Sequence, residues 1–243
     1  MFLSWSKDTT MKLSVIIPFY NETSSLTGLI SRIKSVPIEK EIIIIDDGST
    51  LEIALDMLEQ IAGDNGLALI RNKKNCGKGE AIRIGLTHAI GDAVIIQDAD
   101  TEYFPEDYSH LVKAYEINKA KAVYGVRDLS KRSWLMLLGN RFLTLVTNIL
   151  FRGKITDMET CYKLVNRETM VALNLTSKGF EIEAEITAKL LLMGIQIWEV
   201  PIQYSERKQG KKLTPLDGIP TLYTLFRCLL WKPKTDLLTI KNS

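Results

Sequence analysis

Four short apolar runs in the first hundred residues constrain this chain most. They are KLSVIIPF (12–19), EIIIIDD (41–47), GLALIRN (66–72) and DAVIIQDAD (92–100). None alternates apolar with polar residues, as a strand with one wet face would. A continuous apolar strand is buried on both faces, which requires a parallel sheet covered by helices on each side. The stretches between and after the runs, 23–35, 51–61, 80–89 and 106–118, carry helical spacing. Strand and helix thus alternate as βαβ units, and the fold class predicted is a doubly wound α/β domain. In such sheets ligands sit at the carboxyl ends of the strands. The second half is less regular. It predicts a strand over 121–126, an apolar helix over 133–151, a helix over 181–193 and a strand over 195–202, all built onto the sheet's edge. The domain reading is a flexible leader (1–11), an α/β domain (12–218) and a C-terminal amphipathic helix and tail (219–243).

A chain of 243 residues that is 46% hydrophobic buries a sizeable core. Its 31 basic and 29 acidic residues give a net charge of +2, so no global field points to nucleic acid. Cys76, Cys161 and Cys228 form no CxxC pair, and with only His88 and His110 there is no zinc cluster. This predicts a reducing, cytoplasmic setting. No run of eighteen uninterrupted apolar residues exists to span a bilayer. Two segments, 133–151 and 219–231, are nevertheless apolar around more than one core-facing stripe, with Trp and basic residues at their edges. They read either as core helices or as helices lying on the cytoplasmic face of a membrane.

Polar groups collect where the apolar runs end: Pro18-Phe-Tyr20-Asn21-Glu22, then Asp46-Asp47-Gly48-Ser49, then Gln97-Asp98-Ala99-Asp100-Thr101-Glu102. One such acid would cap a helix. Three acidic strand ends on one rim repel each other unless a cation intervenes. Asp98, Asp100 and Glu102 offer hard oxygen ligands suited to Mg²⁺ or Mn²⁺ shared with substrate phosphates. The stretch Asn75-Cys-Gly-Lys78-Gly-Glu-Ala81 is neither a P-loop nor a dinucleotide fingerprint. It reads as a tight turn into a helix, with Lys78 placed to meet a phosphate at the helix N-terminus.

The ordered set PFYNE, IIDDGST, NCGKGEAIRIG, QDADTEYFPEDY, VYGVRD, TDMETCYKLVNRE, GFEIEAEITAKLLLMG, WEVPIQYSERKQGKK and LDGI resembles the family 2 glycosyltransferases of GT-A fold over about residues 12–220. Within that family it is most similar to the dolichyl- and polyprenyl-phosphate sugar synthases. The resemblance implies a metal-dependent, inverting hexosyltransferase at a membrane surface. It would move glucose or mannose from a UDP- or GDP-linked sugar to a polyprenyl phosphate, with a membrane-anchored protein partner as a further expectation. Carried over, Pro18, Tyr20, Glu22, Asp46 and Asp47 hold the nucleotide, joined by Lys78 and Ala99. Asp98 and Asp100 serve the diphosphate and its metal, with Glu102 as a third ligand. Arg127, Arg141 and Arg207 fall at acceptor-phosphate positions. Lys211 and Lys212 are added because two anions sharing one pocket, at ~4 Å, repel by about 4 kcal/mol at an effective dielectric near 20.

A phosphate acceptor is already ionised, whereas a hydroxyl acceptor needs a general base. Asp157 in TDMET is the catalytic candidate for that role or for positioning the sugar, with Glu159 beside it. Glu183 and Glu185 read as outward helix charges or as cleft residues. The rival reading is a family 2 enzyme that glycosylates a saccharide hydroxyl in cell-surface polysaccharide synthesis. A second rival is a sugar-nucleotide-binding protein without turnover.

Overall fold

The computed structural model describes residues 11–24, 26–64, 66–130, 134–206 and 218–233. Seven strands, β1 (Leu13–Phe19), β2 (Lys40–Asp46), β3 (Leu67–Arg71), β4 (Ala93–Ile96), β5 (Ala122–Arg127), β6 (Lys163–Asn166) and β7 (Ile197–Ile202), form one sheet in the order β3-β2-β1-β4-β6-β5-β7. The β1–β2, β2–β3, β1–β4 and β5–β7 pairs are parallel. The helices are α1 (Leu26–Ser35), α2 (Glu52–Ile61), α3 (Lys78–His88), α4 (Tyr108–Ile117), α5 (Trp134–Phe151), α6 (Arg167–Ala172), α7 (Ile182–Leu192) and α8 (Gly218–Cys228).

The apolar runs fill both faces of the sheet. Val15 and Ile17 of β1 join the larger core with Leu29 and Ile33 of α1, whereas Ile16 turns to the opposite layer with Ile43, Ile45 and Ala81. The predicted mostly parallel, doubly wound sheet is therefore present. The latter part of the chain departs from expectation in one respect. Rather than only extending an edge, β6 runs antiparallel between β4 and β5, inside the sheet. Its four residues are too few to show a period, and the helical turn of α6 follows at once.

A second, smaller core forms where α5, α7 and α8 pack together around Leu143, Phe151, Ala184, Ala188 and Leu225. Helix α8, in the expected C-terminal segment (219–243), thus packs on the α/β body, and residues 1–10 of the expected leader (1–11) lie outside the described residues. In α7 both faces are buried, charges included. Glu185 pairs with Lys189 at 2.7 Å and accepts from the amides of Thr176 (3.0 Å) and Ser177 (2.7 Å), tying the chain before α7 to the helix. Neither an outward charge nor a cleft residue, Glu185 is a buried tether.

Burial alone would raise the Glu185 carboxyl, but Lys189 and the Ser177 amide reverse this and hold it down to about 2. Its stabilisation is full above the ordinary carboxylate value of 4.5 and is lost as pH falls towards about 2. Glu185→Gln leaves the buried Lys189 unpaired and should cost about 3 kcal/mol in urea unfolding at pH 7. The difference from wild type should shrink as both are titrated from pH 5 to 3.

Candidate active site

The carboxyl ends of β1, β2 and β4 open onto a cavity of about 380 Å³ that Tyr103, Phe180 and Tyr204 also line. Each strand end contributes through its own local geometry. After β1, Pro18, Tyr20 and Glu22 line the wall. The Glu22 carboxylate also accepts from the amide of Thr23 at 2.9 Å, just ahead of α1. After β2, Asp47 lines the wall and binds the Gly-rich loop, accepting from Asn72 Nδ2 at 2.8 Å and from the amide of Gly77 at 2.7 Å. Asp46 does not reach the cavity. It is buried at the strand end, where Oδ1 accepts from the Ser49 amide at 2.9 Å. The expected nucleotide contact at Asp46 is therefore a turn constraint.

The NCGKGEA stretch makes a tight turn that α3 follows. Gly77 has φ +99°, and a Cβ there would strike the carbonyl of Lys178. A Cβ on Gly79 would likewise meet the carbonyl of Ser177. The Gly79 amide donates to Lys178 O at 2.7 Å, so the first amides of α3 are used within the protein and do not form a phosphate cradle. What this close approach achieves is the placement of Lys78. Its ammonium lies 2.7 Å from Asp98 Oδ1 and 3.0 Å from Glu183 Oε1 on the cavity wall. Burial disfavours the Lys78 charge, but Asp98 and Glu183 outweigh it and keep the ammonium protonated.

The charge chain continues inward. Glu183 Oε2 lies 2.7 Å from the ammonium of Lys163, which is fully buried. Lys163 also donates to the carbonyls of Met158 (2.9 Å) and Thr160. One lysine on β6 therefore fixes the loop that carries Asp157 and Glu159. Sequence reasoning overlooked Lys163 because β6 itself was overlooked, although a lysine inside CYKLV is the kind of buried charge that demands a partner.

Asp98, Ala99, Asp100 and Glu102 all line the cavity, but they do not form a three-carboxylate cage. Lys78 holds Asp98. Asp100 Oδ1 accepts from the Glu102 amide at 3.1 Å, and Glu102 Oε2 accepts from Tyr204 OH at 2.7 Å. No group of three His, Cys, Asp or Glu side chains among the described residues converges on one point. The donor set left by this arrangement, the Asp98 and Asp100 carboxylates, suits a hard cation that completes its shell with water and substrate phosphate oxygens.

Asp157 does not line the cavity. It makes a bidentate pair with Arg127, Nε to Oδ2 and Nη2 to Oδ1 both at 2.7 Å, and accepts from Asn140 Nδ2 at 3.1 Å. Burial pushes its carboxyl up, but Arg127 pulls it below the usual carboxylate range, which makes it a weak base. The expected catalytic role of Asp157 becomes a positioning role for Arg127, which does reach the cavity.

Glu159, two residues on, has the opposite environment. It lines the cavity, and its Oε1 is buried with no hydrogen-bond partner among the described residues. Burial raises its carboxyl to about 7, against the pull of Lys163 and Arg127. Arg141 is exposed on the outer face of α5 and does not line the cavity. Arg207, Lys211 and Lys212 lie outside the described residues.

The family profile of glycosyl transferase family 2 matches residues 14–170, from the start of β1 through β6 and into α6. The chain belongs to glycosyltransferase family 2. Its fold is that of glucosyl-3-phosphoglycerate synthase from Mycobacterium tuberculosis. The complex of that enzyme with Mg²⁺ and UDP superposes with a TM-score of 0.69 at 18% identity, covering 93% of this chain and 81% of that one. Its complex with Mn²⁺, UDP-glucose and phosphoglyceric acid gives a TM-score of 0.69 at 18% identity, covering 93% and 82%. This family 2 chain is thus a glycosyltransferase of GT-A fold.

Lys163→Met should be among the most destabilising single changes in this glycosyltransferase, because it leaves Glu183 half-paired and two carbonyls without their donor. The expected loss is about 3–5 kcal/mol in urea unfolding. Lys163→Arg should recover part of it.

Proposed function

We propose that this enzyme transfers a hexose from a UDP- or GDP-linked sugar to a hydroxyl group of a saccharide acceptor, with inversion and with Mg²⁺ or Mn²⁺ bound at Asp98 and Asp100. The observation that carries this reading is the charge of the cavity. Among the described residues, seven carboxylates line it (Glu22, Asp47, Asp98, Asp100, Glu102, Glu159, Glu183) against two cations, Lys78 and Arg127. Both cations are already paired. A nucleotide diphosphate enters such a wall only together with positive charge. The solved complexes of glucosyl-3-phosphoglycerate synthase contain Mg²⁺ or Mn²⁺ with UDP, which supports the same requirement here. A bound cation supplies electrostatic stabilisation of the departing diphosphate.

The chain's own residues supply the rest. Pro18, Tyr20 and Glu22 flank the base and ribose, while the Lys78 ammonium, 2.7 Å from Asp98, is shared between that carboxylate and the diphosphate. The acceptor hydroxyl gives its proton to the Glu159 carboxylate as its oxygen attacks the anomeric carbon. The bond from that carbon to the diphosphate breaks, and the electron pair leaves on the β-phosphate. A carboxyl poised near 7 suits that task, being deprotonated in much of the population yet basic enough to accept a proton.

Transfer to a polyprenyl phosphate is the second reading, favoured by Arg127 on the cavity wall and by the apolar outer face of α5. It asks a second anion to enter an acidic cavity, with Arg127 committed to Asp157. Its remaining cations, Arg207, Lys211 and Lys212, lie outside the described residues.

One experiment separates the two. Purified enzyme is offered a panel of labelled nucleotide sugars with Mn²⁺, with either saccharides or polyprenyl phosphate as acceptor. The hydroxyl reading expects water-soluble product, and kcat/KM that rises tenfold per pH unit below about 7 and levels above it. Glu159→Gln should lose about 10²–10⁴-fold in kcat and that pH dependence with it. Label entering the organic phase, undiminished in Glu159→Gln, would establish the lipid-phosphate reading instead. Lys78→Met should weaken UDP or GDP binding about tenfold or more in calorimetric titrations with Mn²⁺ present, the loss of one charge-assisted contact.

A further inference from the structure

The outer surfaces of α5 and α8 are unlike the rest of the molecule. Along α5 the exposed residues Trp134, Leu138, Phe142, Leu145 and Ile149 recur at three- and four-residue spacing, so they form one stripe. Along α8 and the turn after it, Ile219, Tyr223, Phe226 and Leu230 do the same. Trp134 is 72% exposed, Ile149 and Tyr223 68%, and Leu230 86%. Opposite faces of the two helices pack on each other and on α7, so the stripes adjoin. Exposed large apolar residues elsewhere, such as Ile117 on α4, form no such stripe. An apolar surface of this continuity marks a docking site.

Charge identifies what docks there. Neither helix contains an acidic residue, whereas Arg141 sits inside the α5 stripe, Arg227 is on α8, and Lys232 is exposed just beyond Trp231. We propose that the α5–α8 face rests on an anionic lipid bilayer. Its apolar side chains enter the acyl boundary while Arg141 and Lys232 reach the headgroups. No described helix is long and apolar enough to cross a membrane, so the helices lie in the interface. A symmetric dimer through this face would set basic, acid-free surfaces against each other with no carboxylate between them.

The face also has a bearing on the active site. Met136, in the first turn of α5, lines the cavity, so the helix that docks begins at the cavity rim. Docking therefore holds that rim at the bilayer surface, within reach of an acceptor carried on a lipid, whichever chemical group of that acceptor is glycosylated. This inference rests on surface residues alone and stands or falls apart from the role of Glu159.

The test is co-sedimentation of the full chain with vesicles of phosphatidylcholine alone or with 30 mole per cent phosphatidylglycerol (roughly the anionic content that attracts basic interfacial helices). Expected is binding to the anionic vesicles only, weakened by salt, with Trp fluorescence quenched by lipids brominated near the headgroup. Phe142→Asp and Leu145→Asp, both at exposed positions, should each reduce partitioning about tenfold or more, because each puts an acid where an apolar group entered the lipid. Arg141→Gln should reduce it about fivefold. Ile117→Asp, exposed on α4, should leave it unchanged. The proposal is overturned if the protein fails to bind anionic vesicles, or if Ile117→Asp weakens binding as much as Phe142→Asp. It is equally overturned if light scattering shows a lipid-independent dimer that Phe142→Asp dissociates.

Discussion

A chain of alternating charge, Asp98–Lys78–Glu183–Lys163, runs from the cavity wall into the core and organises this active site. Each member is placed by a different element: the end of β4, the start of α3, the first turn of α7 and the start of β6. None could be buried alone at acceptable cost, and removing any one strands its neighbours. The chain fixes the distance between the donor end of the cavity, at Asp98, and the loop carrying Glu159. A site that must hold a diphosphate and an acceptor in line needs that distance held within a fraction of an ångström.

The same chain explains the glycines. For Lys78 to lie between two carboxylates, the backbone at 77–79 must press against residues 177–178, closer than any side chain allows. A glycine on each side of one lysine is thus a packing requirement that looks, in sequence alone, like a phosphate loop. The amides that would have met a phosphate are consumed by Asp47 and the Lys178 carbonyl.

How much could be read in advance follows from what leaves a local trace. Continuous apolar runs announce a sheet buried on both faces, and Asp98 and Asp100 mark a strand's carboxyl end. The fold and one wall of the cavity were therefore legible. Pairing across the sheet leaves no such trace. The insertion of β6 decides that Lys163 reaches Glu183, yet its four residues carry no period. The choice between Asp157 and Glu159 depends on which of two acids, two positions apart, meets Arg127. Alternation along an extended segment points successive odd residues the same way only while the segment is regular. Here the chain turns between them, so one carboxylate is neutralised and the other faces the cavity. Arg141 misled for a related reason. An arginine in an apolar helix does need an anion, but the helix's outer face can find that anion outside the protein.

The contrast between Asp157 and Glu159 also bears on what the acceptor can be. Two carboxylates in one loop are driven apart in proton affinity by different surroundings: the Arg127 guanidinium paired with Asp157 holds it below the usual carboxylate range, while burial raises Glu159 to about 7. Divergence of this kind is how one fold assigns a fixed charge and a proton acceptor to adjacent acids. An acceptor phosphate needs no proton removed, and a raised carboxyl would then be a cost with no return, since burying it uncompensated weakens the fold. A hydroxyl acceptor gives that cost a purpose. A lipid-borne saccharide would reconcile the acidic cavity with the apolar basic face beside it. Such a hydroxyl would add no negative charge to a wall that already carries an excess, and the lipid carrying it would lie where α5 begins.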